Sequence, residues 1–135
     1  MSEAPLIAIV DDDELARDGI RDLVESLGYA AATFTSAAHF LQSPLIAQAT
    51  CLITDLQMPG LNGLELQEAL RSRGYQTPVI LITAYPNEKH RMRAFDNGAV
   101  GFLSKPFDDR WLMECLTDAI KLNDKSGPSR RKESS

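Results

Sequence analysis

The chain has 135 residues and a formal net charge of −5. That length allows one domain with its own core and excludes two of ordinary size. Apolar residues at 44% and charged residues at 24% suit a soluble globular domain, and the charge is uneven: residues 121–135 hold five bases against two acids, which leaves a body of minus eight that repels nucleic-acid phosphate.

No apolar run approaches the roughly 20 residues a membrane span needs. No basic start is followed by an apolar stretch, so no signal peptide is expected and the chain is read as cytoplasmic. Cys51 and Cys115 lie far apart at apolar positions, outside any CxxC pattern. They are expected to be buried thiols in a reducing compartment, without a disulfide.

Five short apolar runs are read as strands: residues 6–10 (LIAIV), 30–34 (AAATF), 51–54 (CLIT), 78–83 (PVILIT) and 101–105 (GFLSK). Each is mostly continuous rather than alternating, as in strands buried on both faces. Helical spacing fills the gaps. Ile20, Leu23, Val24 and Leu27 mark the first helix, closed by Gly28. Residues 36–43 form a short second helix with Ser36 as cap and Pro44 beyond it. Leu66, Ala69 and Leu70 mark the third, closed by Gly74. The fourth, residues 86–98, is polar, with Pro86 at its start and Gly98 at its end; Met92 and Phe95 are its apolar residues, either core contacts or an exposed partner surface. Leu112, Cys115, Leu116 and Ala119 mark the fifth, with Trp111 expected to pack at its start. His39 and His90 are read as solvated. Strands alternating with helices give a parallel sheet covered on both faces, with right-handed crossovers. Residues 1–122 form the domain, and 123–135 read as a disordered basic tail.

In a doubly wound sheet, ligands bind beyond the C-terminal ends of the strands. Strand one ends in Asp11, Asp12 and Asp13, strand three in Asp55, strand four in Thr83 and strand five in Lys105-Pro106. If strands one and three are neighbours, Asp11, Asp12 and Asp55 converge. Three anions in one crevice need a cation, and hard oxygen donors select Mg²⁺ or Mn²⁺. Thr83 adds a hydroxyl and Lys105 a positive charge. These parts suit phosphoryl transfer to a carboxylate. Asp13 and Glu14 are read instead as the cap and first-turn acids of the first helix.

The segments VDDDE (10–14), TDLQMPGLNG (54–63), LITAY (81–85) and FLSKPF (102–107), in this order and spacing, resemble the response-regulator receiver domain over residues 6 to about 122. LITAYPNE and GAVGFLSKPF look most like the FixJ-type subgroup. The resemblance implies a CheY-like, flavodoxin-like (βα)₅ fold of class α/β, with strand order 2-1-3-4-5. It implies that Asp55 accepts a phosphoryl group from a sensor histidine kinase or a histidine phosphotransfer protein. It places Mg²⁺ on Asp12 and Asp55, with Asp11 assisting and the main-chain carbonyl of Gln57 completing the protein's share. Lys105, the Thr83 hydroxyl and the Ala84 N–H then bind the phosphoryl group. Phe102 matches an aromatic that swings inward with Thr83, with a static packing role as the alternative. Lys105-Pro106 matches a cis junction. Bulky Tyr85 is expected to shield the acyl phosphate and slow its hydrolysis.

FixJ-type proteins carry a DNA-binding domain after the receiver, and this sequence has none. It is therefore expected to be a single-domain regulator, not itself an enzyme, and without direct DNA or membrane binding. Its output is expected to be a protein contact through residues 86–121, from a monomer or an activation-dependent homodimer. Three rivals stand beside it: a receiver fold that takes no phosphate, a phosphate sink, and a haloacid-dehalogenase-type phosphatase. The last would use Asp11 as nucleophile, with Asp13, Thr83, Lys105, Asp108 and Asp109.

Overall fold

The computed structural model describes residues 4–125, and side chains as far as residue 122. Five strands are linked by five α-helices: β1 (Leu6–Val10), α1 (Glu14–Ser26), β2 (Ala30–Phe34), α2 (Ala37–Leu41), β3 (Cys51–Asp55), α3 (Gly63–Ser72), β4 (Val79–Thr83), α4 (Glu88–Asp96), β5 (Gly101–Ser104) and α5 (Asp109–Lys125). The strands form one sheet in the order β2-β1-β3-β4-β5, with every neighbouring pair parallel.

Successive side chains on a strand point to opposite faces, and that alternation divides the core in two. Ile7, Ile9, Ile53, Ile80 and Ile82 face one layer, where they meet Ile20 and Val24 of α1 and Leu112, Leu116 and Ala119 of α5. Ala8, Val10, Leu52 and Leu81 face the other, against Phe40 of α2, Leu64, Leu66 and Leu70 of α3 and Ala94 of α4. Strands apolar over most of their length are the ones that can serve two layers at once. This holds for β3 and β4, which are buried throughout and turn polar only towards their C-terminal ends, and for β1 beyond Leu6. It fails for β2 and β5. Both are edge strands, with a neighbour on one side only, and both are partly exposed rather than buried on both faces.

The expected elements are present, with local differences. A 3₁₀ turn at Pro44–Ala47 follows α2, its first N–H groups met by the Ser43 hydroxyl at Leu45. Ser36 caps α2 as expected, accepting from His39 N–H. Helix α4 starts at Glu88 rather than at Pro86, because Asn87 is the cap and accepts from the N–H groups of Lys89 and His90. Helix α1 ends as expected at Gly28, whose φ of +94° is a conformation only glycine adopts cheaply. Helix α5 continues to Lys125, three residues past the boundary drawn at 122, since no Gly or Pro intervenes before Gly127. The rest of the expected disordered tail lies outside the described residues.

Trp111 does not pack at the start of α5. It is 60% exposed, because Leu112 takes the inward position. Met92 and Phe95 are exposed as well, at 56% and 41%, which resolves the alternative left open for them. His39 is exposed, but His90 is only half-exposed, with Nδ1 buried. Cys51 is buried, Cys115 half-buried, and both are free thiols. Among the described residues, no helix is long and apolar enough to cross a membrane.

Candidate functional site

The site lies where β1, β3, β4 and β5 end. Asp11 follows Val10, whose partner on β3 is Thr54, so Asp11 stands beside Asp55. Asp55 is paired with Ile82, which puts Thr83 one step beyond it on the next strand. Thr83 is paired with Ser104, and its carbonyl accepts the Lys105 N–H at 2.8 Å. Parallel register alone thus gathers residues from four strand ends into one crevice.

The carboxylates of Asp11, Asp12 and Asp55 converge, each offering an oxygen within 4.8 Å of the others. Asp11 and Asp55 are buried and Asp12 is exposed. The Lys105 ammonium stands 3.6 Å from Asp11 Oδ2 and 3.5 Å from Asp55 Oδ1. Lys105 offsets one of the three carboxylate charges. Burial, then the neighbouring Asp11 charge, pushes the Asp55 carboxyl up to about 6, with Lys105 pulling the other way. Burial raises Asp11 also, opposed by the Asp13 N–H and by Lys105.

Asp11 is anchored from two sides. Its Oδ1 accepts the Asp13 N–H at 2.9 Å, and its carbonyl accepts from Arg17 Nη1 at 2.8 Å. Asp13 does occupy the cap position of α1, but its side chain makes no capping bond, contrary to expectation. Asp11 orders that turn in its place. Asp11 Oδ2 is buried without a hydrogen-bond partner among the described residues. The Lys105 ammonium at 3.6 Å offsets its charge without hydrogen-bonding it, and a buried oxygen short of a hydrogen bond is costly. The donor set is all oxygen, two of the three carboxylates are buried, and one buried oxygen is unsatisfied. That is the chemistry of a hard divalent cation such as Mg²⁺, and the residues fit it.

The segment after Asp55 is held close by Gly63. A Cβ there would come within 2.7 Å of both the Asp55 carbonyl oxygen and Leu81 Cδ2. The Gly63 N–H instead reaches the Leu56 carbonyl at 2.9 Å, which closes the loop 57–62. A capping box fixes the start of α3: Asn62 Oδ1 accepts from Glu65 N–H, and Glu65 Oε1 accepts from Asn62 N–H. The Asn-x-x-Glu spacing before an apolar run signals this box in the sequence, and the sequence reading missed it.

Thr83 is fully buried. Its hydroxyl donates to Gln57 Oε1 at 2.7 Å and accepts from the Tyr85 N–H at 3.0 Å. Gln57 and Tyr85 were expected only as variable positions that tune hydrolysis of the acyl phosphate, with the Gln57 carbonyl on the metal; the hydrogen bond from Thr83 to the Gln57 side chain was not expected. Ala84 and Tyr85 are exposed at the mouth. Phe102 is half-buried and packs against the α3–α4 layer. The Lys105-Pro106 bond is cis, as expected. Asp108 and Asp109 stay outside the cluster: both are exposed at the start of α5, and Asp108 pairs with Arg110 at 3.0 Å. The constellation required for the phosphatase reading does not assemble around Asp11.

Comparison with known proteins agrees with this geometry. A family model described as the response regulator receiver domain matches residues 7–117. The transcriptional regulatory protein FixJ of Azorhizobium caulinodans is 36% identical over 120 residues, 89% of this chain and 57% of that protein. The response regulator protein TodT of Pseudomonas putida is 35% identical over 119 residues, 88% of this chain and 52% of its own length. The chain thus spans little more than half the length of these relatives. Among solved structures, response regulator StyR superposes with a TM-score of 0.85 at 36% identity, covering 92% of this chain and 63% of that one. The structure titled FixJ-N gives 0.79 at 30% identity, covering 89% and 96%.

Proposed function

We infer that this chain, which belongs to the response regulator receiver family, accepts a phosphoryl group on Asp55 from a phosphohistidine of a sensor kinase or phosphotransfer protein. The observation that carries this reading is the buried Asp55 carboxylate, 3.5 Å from Lys105 and beside two further carboxylates. An Asp55 carboxylate oxygen attacks phosphorus while the P–N bond of the donor histidine breaks. The imidazole leaves with that electron pair, and an acyl phosphate remains. The Lys105 ammonium offsets the negative charge on the transferring oxygens. The Thr83 hydroxyl and the Ala84 N–H bind those oxygens after transfer. Asp11, Asp12, Asp55 and the Gln57 carbonyl would hold Mg²⁺, with Mn²⁺ a possible substitute. The ion would offset the charge of the three acids and of the phosphoryl group.

The output follows from what is exposed. Met92 and Phe95 on α4 and Trp111 and Met113 on α5 stand in solvent within residues 86–121. This surface is the proposed contact for a downstream protein or for a second copy once Asp55 is phosphorylated.

Intact mass after incubation with Mg²⁺ and acetyl phosphate tests the reading. The wild type should gain about 80 Da, one phosphoryl group, and Asp55→Asn should not. A gain retained in Asp55→Asn but lost in Asp11→Asn would overturn it. A wild type inert to acetyl phosphate and to beryllofluoride would favour a receiver fold that takes no phosphate.

A further inference from the structure

A threonine hydroxyl has one proton to donate, and in this structure Thr83 gives it to Gln57. The bond is short, 2.7 Å, and the same oxygen is occupied as an acceptor by the Tyr85 N–H. To bind a phosphoryl oxygen, Thr83 must donate, because that oxygen carries no proton at neutral pH. The bond to Gln57 must therefore break first. We propose that the Gln57 side chain is a latch on Thr83, which withholds the hydroxyl proton from the phosphoryl site and so sets how readily the domain switches. This inference rests on Asp55 being the phosphoacceptor.

The surroundings of Gln57 suit such a role. Its side chain is exposed, not locked in the core. It lines an open groove of about 510 Å³ together with Leu56, Met58, Pro59, Asn62 and His90. A released amide has room there. The latch spans two strand ends: Gln57 follows β3, and Thr83 closes β4. Gln57 sits two residues beyond Asp55 and is a positioning residue, acting on the phosphoryl group only through Thr83.

A latched population lowers the apparent affinity of any ligand that needs Thr83 free. One neutral hydrogen bond contributes enough to change that affinity about two- to tenfold. The probe is beryllofluoride with saturating Mg²⁺, titrated by calorimetry into the wild type, Gln57→Met, Thr83→Ala and the double variant. Methionine keeps the length of glutamine and removes the acceptor. Gln57→Met should bind beryllofluoride about two- to tenfold more tightly than the wild type. In the Thr83→Ala background the same change should alter nothing. Equal affinity of wild type and Gln57→Met overturns the latch, as does an equal change in both backgrounds, which would mean that Gln57 acts by shape alone. A wild type that binds no beryllofluoride overturns the phosphoacceptor reading instead, and the latch falls with it.

Discussion

Replacing Asp55 by Asn should make the metal-free protein more stable. Burial and the charge of Asp11 push the Asp55 carboxyl up to about 6 from an ordinary 3.8. The folded state therefore holds that proton more tightly than the unfolded chain does. The associated stability is present below the unfolded value and is lost as pH rises through the folded one, a window from 3.8 to about 6. A gap of roughly two units corresponds to about 3 kcal/mol at full ionisation. That shift is already net of the attraction to Lys105, so the expected gain at pH 8 is up to about 3 kcal/mol. The assay is urea unfolding in EDTA and in Mg²⁺, at pH 8 and at pH 4.5. In EDTA the variant should exceed the wild type at pH 8, and the difference should shrink towards pH 4.5. Mg²⁺ at a hundredfold excess over the wild-type Kd should raise the wild type by about 2.7 kcal/mol and the variant by less. An Asp55→Asn protein less stable than wild type in EDTA at pH 8, or a difference independent of pH, refutes the reasoning.

Lys105→Met removes the cation shared by Asp11 and Asp55 and should cost about 1–2 kcal/mol in EDTA, less in an Asp55→Asn background; unfolding curves of the four proteins decide it. Gly63→Ala forces a methyl against the Asp55 carbonyl and Leu81, so it should destabilise by about 1–3 kcal/mol and slow mass gain from acetyl phosphate, whereas wild-type behaviour would mean that the loop yields freely. Tyr85→Ala should speed loss of the phosphoryl group in a time course of intact mass, and an unchanged decay removes Tyr85 as a shield. On beryllofluoride binding, amide exchange should change more over residues 84–90 than over 94–98, and a uniform change would count against a pivot of α4.

The central strands were legible because their apolar runs are continuous, and a strand that serves two core layers needs that pattern. The edge strands were misread for the same reason: AAATF and GFLS are also continuous runs, and only the neighbours reveal which faces are covered. The acidic cluster was legible from chemistry, since strand-end aspartates in a parallel sheet converge without any fine tuning. Asp13 was not, because its position fits a cap and only the geometry shows its N–H engaged by Asp11. The Gln57–Thr83 bond joins residues 26 apart in sequence. No local pattern announces it, for it depends on β3 and β4 ending at the same height. Trp111 shows the limit of composition: a large aromatic suggests burial, yet the helical phase gives the inward position to Leu112.

The restraints on α4 explain why a small change at Thr83 should matter at a distance. Only Ala94 of this helix is buried. Its C-terminal end is tied to α3: Gln67 Nε2 donates to the Ala94 carbonyl at 3.0 Å, Arg71 donates to the Asn97 carbonyl at 2.8 Å, and Arg93 pairs with Glu68. Its N-terminal end holds its own cap through Asn87 and follows Thr83 after residues 84–87. On the proposed reading, a rearrangement at the Thr83 end of β4 would turn this helix about its fixed end. The acidic cluster, in turn, is held by the sheet register, by Asp11's contacts with Asp13 and Arg17, and by the close approach of Gly63. It has little freedom to relax its own repulsion. On the proposed reading, neutralising that charge acts through the Thr83 hydroxyl, the Gln57 amide and the start of α4, which would join the site to the exposed residues of α4 along one path.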